Sequence, residues 1–381
     1  MGRHRYSIFH AISILPISFW LDFWTPWGQE IEPERGATVR MMEYRTLGAT
    51  GITVSTYCLG TMMFGAWGNP DRTDCRTVVD VALEAGVNFV DTADVYAFGE
   101  SEEILGAALR GRRDDIVLAT KFHNAMSDDP NSRGNSRRWI VRACEASLRR
   151  LQTDWIDLYQ IHRPDPATDL DETLAALDDL VRSGKVRAMG TSTFPASTIV
   201  EAQWVASDRR YVRPRAEQPP YSIFVRGIER DVLPVCQRYG IGVLTWAPLN
   251  GGWLTGKYNE AGAPPALSRA DREPDHFDYG GSVHDRKLAL VDELLRVANE
   301  AGVTLTALAH AFVLAHPAVT SAILGPRTPA QLQDVLKGVD VRADNDMLDR
   351  IDAVVPPGTT VNPHDAGYDP PALTEASLRR R

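Results

Sequence analysis

Three side chains able to do proton chemistry stand just past short apolar runs, and a fourth lies close by. Asp91 follows the run 87–90, Lys121 follows 116–119, and His162 follows 156–159, with Tyr96 in the segment just beyond Asp91. A tyrosine in water titrates near pH 10. An ammonium beside it stabilises the phenolate, and a carboxylate paired to that ammonium keeps it charged and oriented. A Tyr–Lys–Asp chain is therefore a tunable proton donor and acceptor, and a histidine next to it can orient a carbonyl oxygen. Singly, each residue has a plainer use: a turn or cap for the aspartate, a solvated side chain for the lysine, a structural role for the histidine. The chemical reading depends on whether the fold brings them together. No serine nucleophile stands beside a base. Cys58, Cys75, Cys144 and Cys236 are isolated and have no histidines at zinc spacing, so no metal is expected and the cysteines read as small buried side chains in a reducing compartment.

The elements that must position these residues follow from hydrophobic periodicity. From residue 43 onward, short apolar runs alternate with longer amphipathic ones. Strands are predicted at 57–59, 87–90, 116–119, 156–159, 186–190, 215–218, 241–246 and 321–324. Helices are predicted at 73–85, 101–109, 139–151, 170–181, around 195–204, and at 228–238, 286–301, 305–315 and 329–336. Strand–helix alternation calls for a parallel sheet. Eight such units over this length fit a single-domain α/β fold, the (β/α)8 TIM barrel of about 250 residues plus insertions. The rival, an open doubly wound sheet, announces its dinucleotide site with G-x-G-x-x-G after an early strand, and none follows one here. In a barrel the strand ends converge on one mouth. Asp91, Lys121 and His162 then become neighbours, Tyr96 joins them, and Ser192, Gln218 and Trp246 end the next three strands.

Two stretches fall outside the repeat: 259–285, rich in proline, glycine and charge, and 356–371 within a C-terminal loop or tail, 356–381. The barrel is expected over 43–355. Residues 1–40 read as a non-core leader. Arg3, His4 and Arg5 precede an apolar stretch, but Pro16 and Asp22 break it, so neither a signal peptide nor a membrane span is cleanly written. The net charge of -9 lacks the footprint of a nucleic-acid binder. The expectation is a cytoplasmic protein with a small-molecule substrate and no nucleic-acid or membrane partner. A homo-oligomer is left open.

The motifs themselves resemble the aldo-keto reductases. FVDTADVYAFGESEEILG at 89–106 resembles that superfamily's signature. LATK at 118–121, YQIHRPD at 159–165, GTSTF at 190–194, EQPPYSIF at 217–224, WAPLNGGWLTGKY at 246–258 and ILGPRTPAQL at 323–332 follow in family order. The match spans roughly residues 43–340 and is closest in style to bacterial members and potassium-channel β subunits. The resemblance implies that Tyr96 is the general acid, tuned by Lys121 and Asp91, with His162 directing the substrate carbonyl. It also implies NADPH as cofactor. Gly60, Thr61 and Met62 would approach the nicotinamide, Ser192 and Gln218 would hold its carboxamide, and Trp246 would stack on it. Leu249, Gly251 and Lys257 would cover the pyrophosphate, and Gly325, Arg327 and Gln331 would hold the adenosine and its 2′-phosphate. Thr193 replaces the usual Asn, and Gln331 and Val335 stand where many members place Arg and Asn. More of the 2′-phosphate then falls to Arg327. Phe64, Trp67, Phe122 and Trp139 are expected in the substrate-pocket walls. Residues 251–257 also read as a partial P-loop, but Tyr258 takes the place of the magnesium-binding hydroxyl. The expected activity is reduction of an aldehyde or ketone to an alcohol. The alternative is a nicotinamide-binding, redox-sensing regulatory subunit that turns over slowly.

Overall fold

The computed structural model describes residues 42–258, 264–266, 268–273, 277 and 281–380. The expectation for residues 1–40 lies outside the described residues. Strands β3 (Tyr57–Gly60), β4 (Phe89–Asp91), β5 (Val117–Phe122), β6 (Ile156–Ile161), β7 (Val186–Ser192), β8 (Ala216–Gln218), β9 (Gly242–Thr245) and β10 (Val319–Leu324) form a closed barrel, β10 joining β9 to β3. Every pairing around the ring is parallel. This is the (β/α)8 barrel expected from the strand–helix alternation. Parallel strands covered on both faces read as continuous apolar runs, and the strands are almost wholly buried.

The core has two layers. Inside the barrel lie Cys58, Phe89, Ala119, Leu158, Ala188, Ala216 and Leu244. The larger layer lies between strands and helices and includes Val90, Leu118, Phe122, Tyr159 and Met189. An antiparallel hairpin, β1 (Tyr44–Thr46) and β2 (Thr53–Ser55), precedes the barrel and was not expected. Its β1 strand is Tyr-Arg-Thr, with no apolar run to mark it. Leu47 and Val54 of this hairpin join the interior cluster. At Gly48 φ is +52°, and a Cβ there would meet the Gly242 nitrogen at 2.5 Å, so the turn needs glycine both for its conformation and for its close approach to β9.

Helix starts follow capping rules. Asp71 accepts from the Thr73 and Asp74 amides at the start of α1 (Arg72–Glu84). Ser136 caps α3 (Arg137–Leu151) and Asp169 caps α4 (Leu170–Arg182). The remaining longer helices are α2 (Glu100–Ala108), α5 (Ala196–Arg209), α6 (Val232–Tyr239), α8 (Ser282–Glu300), α9 (Leu305–Ala315), α10 (Pro329–Leu336) and α11 (Asn345–Val354). A short α7 (Arg269–Arg272) lies within the expected insertion. Helix α8 starts inside the stretch read as insertion, and α5 runs past its expected end. Helix α11 was not expected, since it buries only Ile351 fully and its apolar stripe is short. The C-terminal stretch returns to the barrel: Arg226 N–H donates to the Thr359 carbonyl at 2.8 Å, and Val361 N–H donates to that of Phe224 at 2.9 Å.

Candidate active site

The strand register brings the proton-transfer residues together. Asp91 ends β4 opposite Gly60 on β3 and Ala119 on β5, and Lys121 on β5 pairs with Gln160 on β6. Lys121 Nζ donates to Asp91 Oδ2 at 2.5 Å and to the Thr92 carbonyl at 2.8 Å, and lies 3.3 Å from Tyr96 Oη. Lys121 is fully buried and Asp91 nearly so. Three of the four expected residues thus form one hydrogen-bonded chain. His162 stands edge-on to Tyr96, with ring centroids 5.9 Å apart.

Burial decides the protonation states. It raises the Tyr96 pKa; Lys121 pulls it down and Asp91 pushes it up, and the net shift is upward. The sequence reading expected the ammonium to lower it. The correction is physical: desolvation of the phenolate outweighs the ammonium, whose charge Asp91 largely cancels. The phenol is therefore protonated, as a proton donor must be. For Lys121, burial lowers the pKa, but Asp91 and Tyr96 outweigh it and the group stays charged. Burial, then Lys121, Arg163 and His123, hold the His162 imidazole well below its ordinary value and keep it neutral. Asn124 Nδ2 lies 3.2 Å from His162 Nδ1. In that amide orientation Nδ1 accepts, which puts the ring proton on Nε2 as a donor.

Sequence reasoning missed Gln160. Its Nε2 donates to Asp91 Oδ1 at 3.2 Å, and Gln218 Nε2 donates to the same oxygen at 2.8 Å. The signal was present: Gln160 lies two positions before His162, which directly follows β6, so strand alternation turns it to the same side. Gln218 was assigned to the nicotinamide carboxamide. Its amide nitrogen serves Asp91, which leaves Oε1 for such a contact. Ser192 Oγ donates to the Gln218 carbonyl at 2.9 Å.

A cleft of about 1370 Å³ opens at this end of the barrel. It is lined by Gly60, Met62, Trp67, Asp91, Tyr96, His162, Ser192, Gln218 and Trp246, and farther along by Leu249, Gly251, Lys257, Gly325, Arg327 and Gln331. Five expected residues do not line it. Lys121 lies wholly buried beneath the floor, reaching the cleft through Tyr96. Phe64 is fully buried in the layer behind the strands. Phe122 follows Lys121, so strand alternation turns it outward, where it packs on Tyr159 at 4.9 Å between ring centroids. Trp139 sits in the buried face of α3. Thr61 spends its amide on the Asp91 carbonyl at 2.9 Å, and its hydroxyl lies 2.9 Å from Ser101 Oγ.

The far end of the cleft collects positive charge. Burial, then the guanidinium groups of Arg327 and Arg272, hold the Lys257 ammonium below its ordinary value. Like charges that converge in this way suit an anion. Gly251 and Gly252 adopt φ of +67° and +101° next to that lysine, which exposes backbone as a phosphate cradle does. Arg272 reaches over from the insertion to the Trp67 carbonyl at 2.5 Å. A clasp unseen in the sequence closes the wall: Lys287 Nζ donates to Asn250 Oδ1 and Asp365 Oδ2, both at 2.7 Å. The C-terminal segment also packs on Trp246, whose Cζ2 lies 2.6 Å from where a Cβ on Gly367 would be. Among the described residues no single helix is long and apolar enough to cross a membrane.

Residues 57–356 match the aldo/keto reductase family. The chain belongs to the aldo/keto reductase family. It is 41% identical over 325 residues to an Arabidopsis thaliana protein described as "Probable voltage-gated potassium channel subunit beta", covering 82% of this chain and 97% of the relative. It is 40% identical to "Uncharacterized oxidoreductase YrpG" of Bacillus subtilis (strain 168), covering 83% and 96%. It is 35% identical to "Aldo-keto reductase YhdN" of the same organism, covering 77% and 87%. With family membership and oxidoreductase relatives together, the protein is an oxidoreductase of carbonyl compounds.

Proposed function

We propose that this aldo/keto reductase uses NADPH to reduce an aldehyde or ketone to an alcohol, with Tyr96 as the proton donor. The observation that carries the reading is the buried chain from Asp91 through Lys121 to Tyr96, with a neutral histidine beside it. The Lys257, Arg272 and Arg327 cluster and the Gly251–Gly252 backbone suit the phosphates of a dinucleotide. Trp246 and the Oε1 of Gln218 suit the nicotinamide end. Arg327 is the residue that would favour the 2′-phosphate. Bound NADPH supplies a hydride to the carbonyl carbon. His162 Nε2–H holds the carbonyl oxygen, and Tyr96 Oη gives that oxygen its proton. Lys121 stabilises the phenolate that remains, and Asp91 keeps the lysine charged and in place. The indole of Trp67, 6.5 Å from the Tyr96 ring between centroids, and the C-terminal segment restrict water. The compartment in keeping with this reading is the cytoplasm.

Tyr96→Phe tests it. The variant should lose about 10²–10⁴-fold in turnover, the usual worth of a general acid, and keep its affinity for NADPH within about threefold. Retention of more than about a tenth of wild-type turnover would exclude Tyr96 as the proton source. The relatives named as channel subunits support a second reading, a slow redox sensor. A kcat far below the enzyme median of about 10 s⁻¹ across a broad aldehyde panel would favour it.

A further inference from the structure

Arg163 is a cation that the proton chain does not use. It follows His162 and lines the cleft with Tyr96 and Trp246. Its Nη1 donates to the His162 carbonyl at 2.7 Å and to Thr193 Oγ1 at 3.2 Å, and the guanidinium carbon lies 6.0 Å from the Trp246 ring centroid. Among the described residues, Nε and Nη2 have no hydrogen-bond partner and no carboxylate forms an ion pair with Arg163. Arg113, Arg150 and Arg226, also withdrawn from solvent, each carry one: Asp157, Glu102 and Glu229 respectively. The carboxylate whose charge acts on Arg163 is Glu217. Its oxygens are committed to the Thr191 hydroxyl and, at 3.1 Å, to the Phe194 amide. Burial raises the Glu217 pKa to about 7, so it provides only part of a charge at neutral pH. Burial also lowers the pKa of Arg163 itself.

A half-buried guanidinium with free donors and no anion is costly unless something binds it. The phosphate-binding cations, Lys257 and Arg327, belong to the loops after β9 and β10. Arg163 stands after β6, beside the residue that would hold the carbonyl. We propose that Arg163 anchors an anionic group on the substrate, so that the preferred substrates are carbonyl compounds carrying a carboxylate. This rests on the reductase reading above. The planar fork of a guanidinium suits a carboxylate because two N–H groups meet two oxygens. Thr193, where relatives of the motif commonly carry Asn, takes the hydrogen bond that fixes this fork.

The test uses matched aldehydes with the whole protein and saturating NADPH. One pair is 4-carboxybenzaldehyde against 4-carbamoylbenzaldehyde. A flexible pair, succinic semialdehyde against butanal, removes the fixed para geometry. The wild type should favour the carboxylate in kcat/KM by about 10- to 100-fold in at least one pair, the worth of a charge-assisted hydrogen bond. Arg163→Met should bring that ratio to within about threefold of unity, and Arg163→Lys should restore part of it. A wild-type ratio near unity in both pairs, with the neutral aldehydes turned over, overturns the proposal without any variant. So does an Arg163→Met protein that slows both members of a pair equally and keeps the ratio. Absence of NADPH-dependent turnover with all four aldehydes would instead strike down the reductase reading, and this proposal with it.

Discussion

Asp91→Asn keeps the shape of the side chain and removes its charge. In the native cleft Asp91 only accepts: Oδ2 takes Lys121 Nζ at 2.5 Å, and Oδ1 takes the amide nitrogens of Gln218 at 2.8 Å and Gln160 at 3.2 Å. Asparagine has one acceptor oxygen, so its NH₂ must face either the ammonium or the two glutamine donors. Lys121 is fully buried, and an uncompensated charge there costs about 3–5 kcal/mol. In the native protein burial lowers the lysine pKa, but Asp91 and Tyr96 outweigh it and the net shift is upward. A raised pKa of this kind contributes stability that is fully present below the unfolded value and is lost only as pH rises through the folded one. At neutral pH the wild type therefore has the whole contribution, and the variant lacks it. Without the carboxylate, burial drives the lysine pKa down and the ammonium gives up its proton more easily. Urea unfolding at neutral pH should show a loss of about 3 kcal/mol. Turnover at saturating NADPH should fall about 10- to 100-fold, the worth of one charge-assisted hydrogen bond to the tyrosine. What remains should decline further as the solution is made alkaline. A variant that unfolds with the wild type and keeps more than about half its turnover would refute the view that Asp91 maintains the lysine charge.

Three other outcomes follow from the same geometry. Arg327→Ala should weaken NADPH by about 10- to 100-fold and leave NADH nearly unchanged, read by fluorescence titration; equal losses would mean that Arg327 supports the fold. The reduction rate should stay flat through the range where free histidines titrate, because His162 is already neutral, and should fall only as pH rises above the ordinary tyrosine value of 10; an inflection near 6.5 in kcat/KM counts against this. Burial raises Glu217 from 4.5 to about 7, so its contribution to stability is full below 4.5 and is lost as pH rises through 7. Glu217→Gln should therefore gain on the wild type by up to roughly 3 kcal/mol between about pH 4 and pH 8, and a difference independent of pH would contradict it.

The part of the site that was legible in the sequence is the part that strand geometry dictates. Asp91, Lys121 and His162 end successive strands, and closure of the barrel makes them neighbours whatever the loops do. The same alternation, carried one residue further, places Phe122 outside the barrel and Gln160 inside it. Both were readable, and both were misjudged because residue type was given more weight than parity. Phe64 and Trp139 went wrong for a related reason: a large aromatic in the loop after a strand, or in the first turn of a helix, serves the layer between strands and helices as readily as the mouth. The upward shift of Tyr96 was beyond reach, since it depends on how completely the ring and the ammonium are shut away from water. The clasp of Asn250, Lys287 and Asp365 marks the firmest limit. Its partners come from the loop after β9, from α8 and from the C-terminal stretch, and no local pattern links them. Each alone reads as a solvated polar residue, yet Lys287 is 5% exposed and Asp365 9%. A buried pair of that kind is strongly destabilising to break. The strands thus fix the floor of the cleft through short-range periodicity, while its far wall depends on charges that meet only after the barrel has closed.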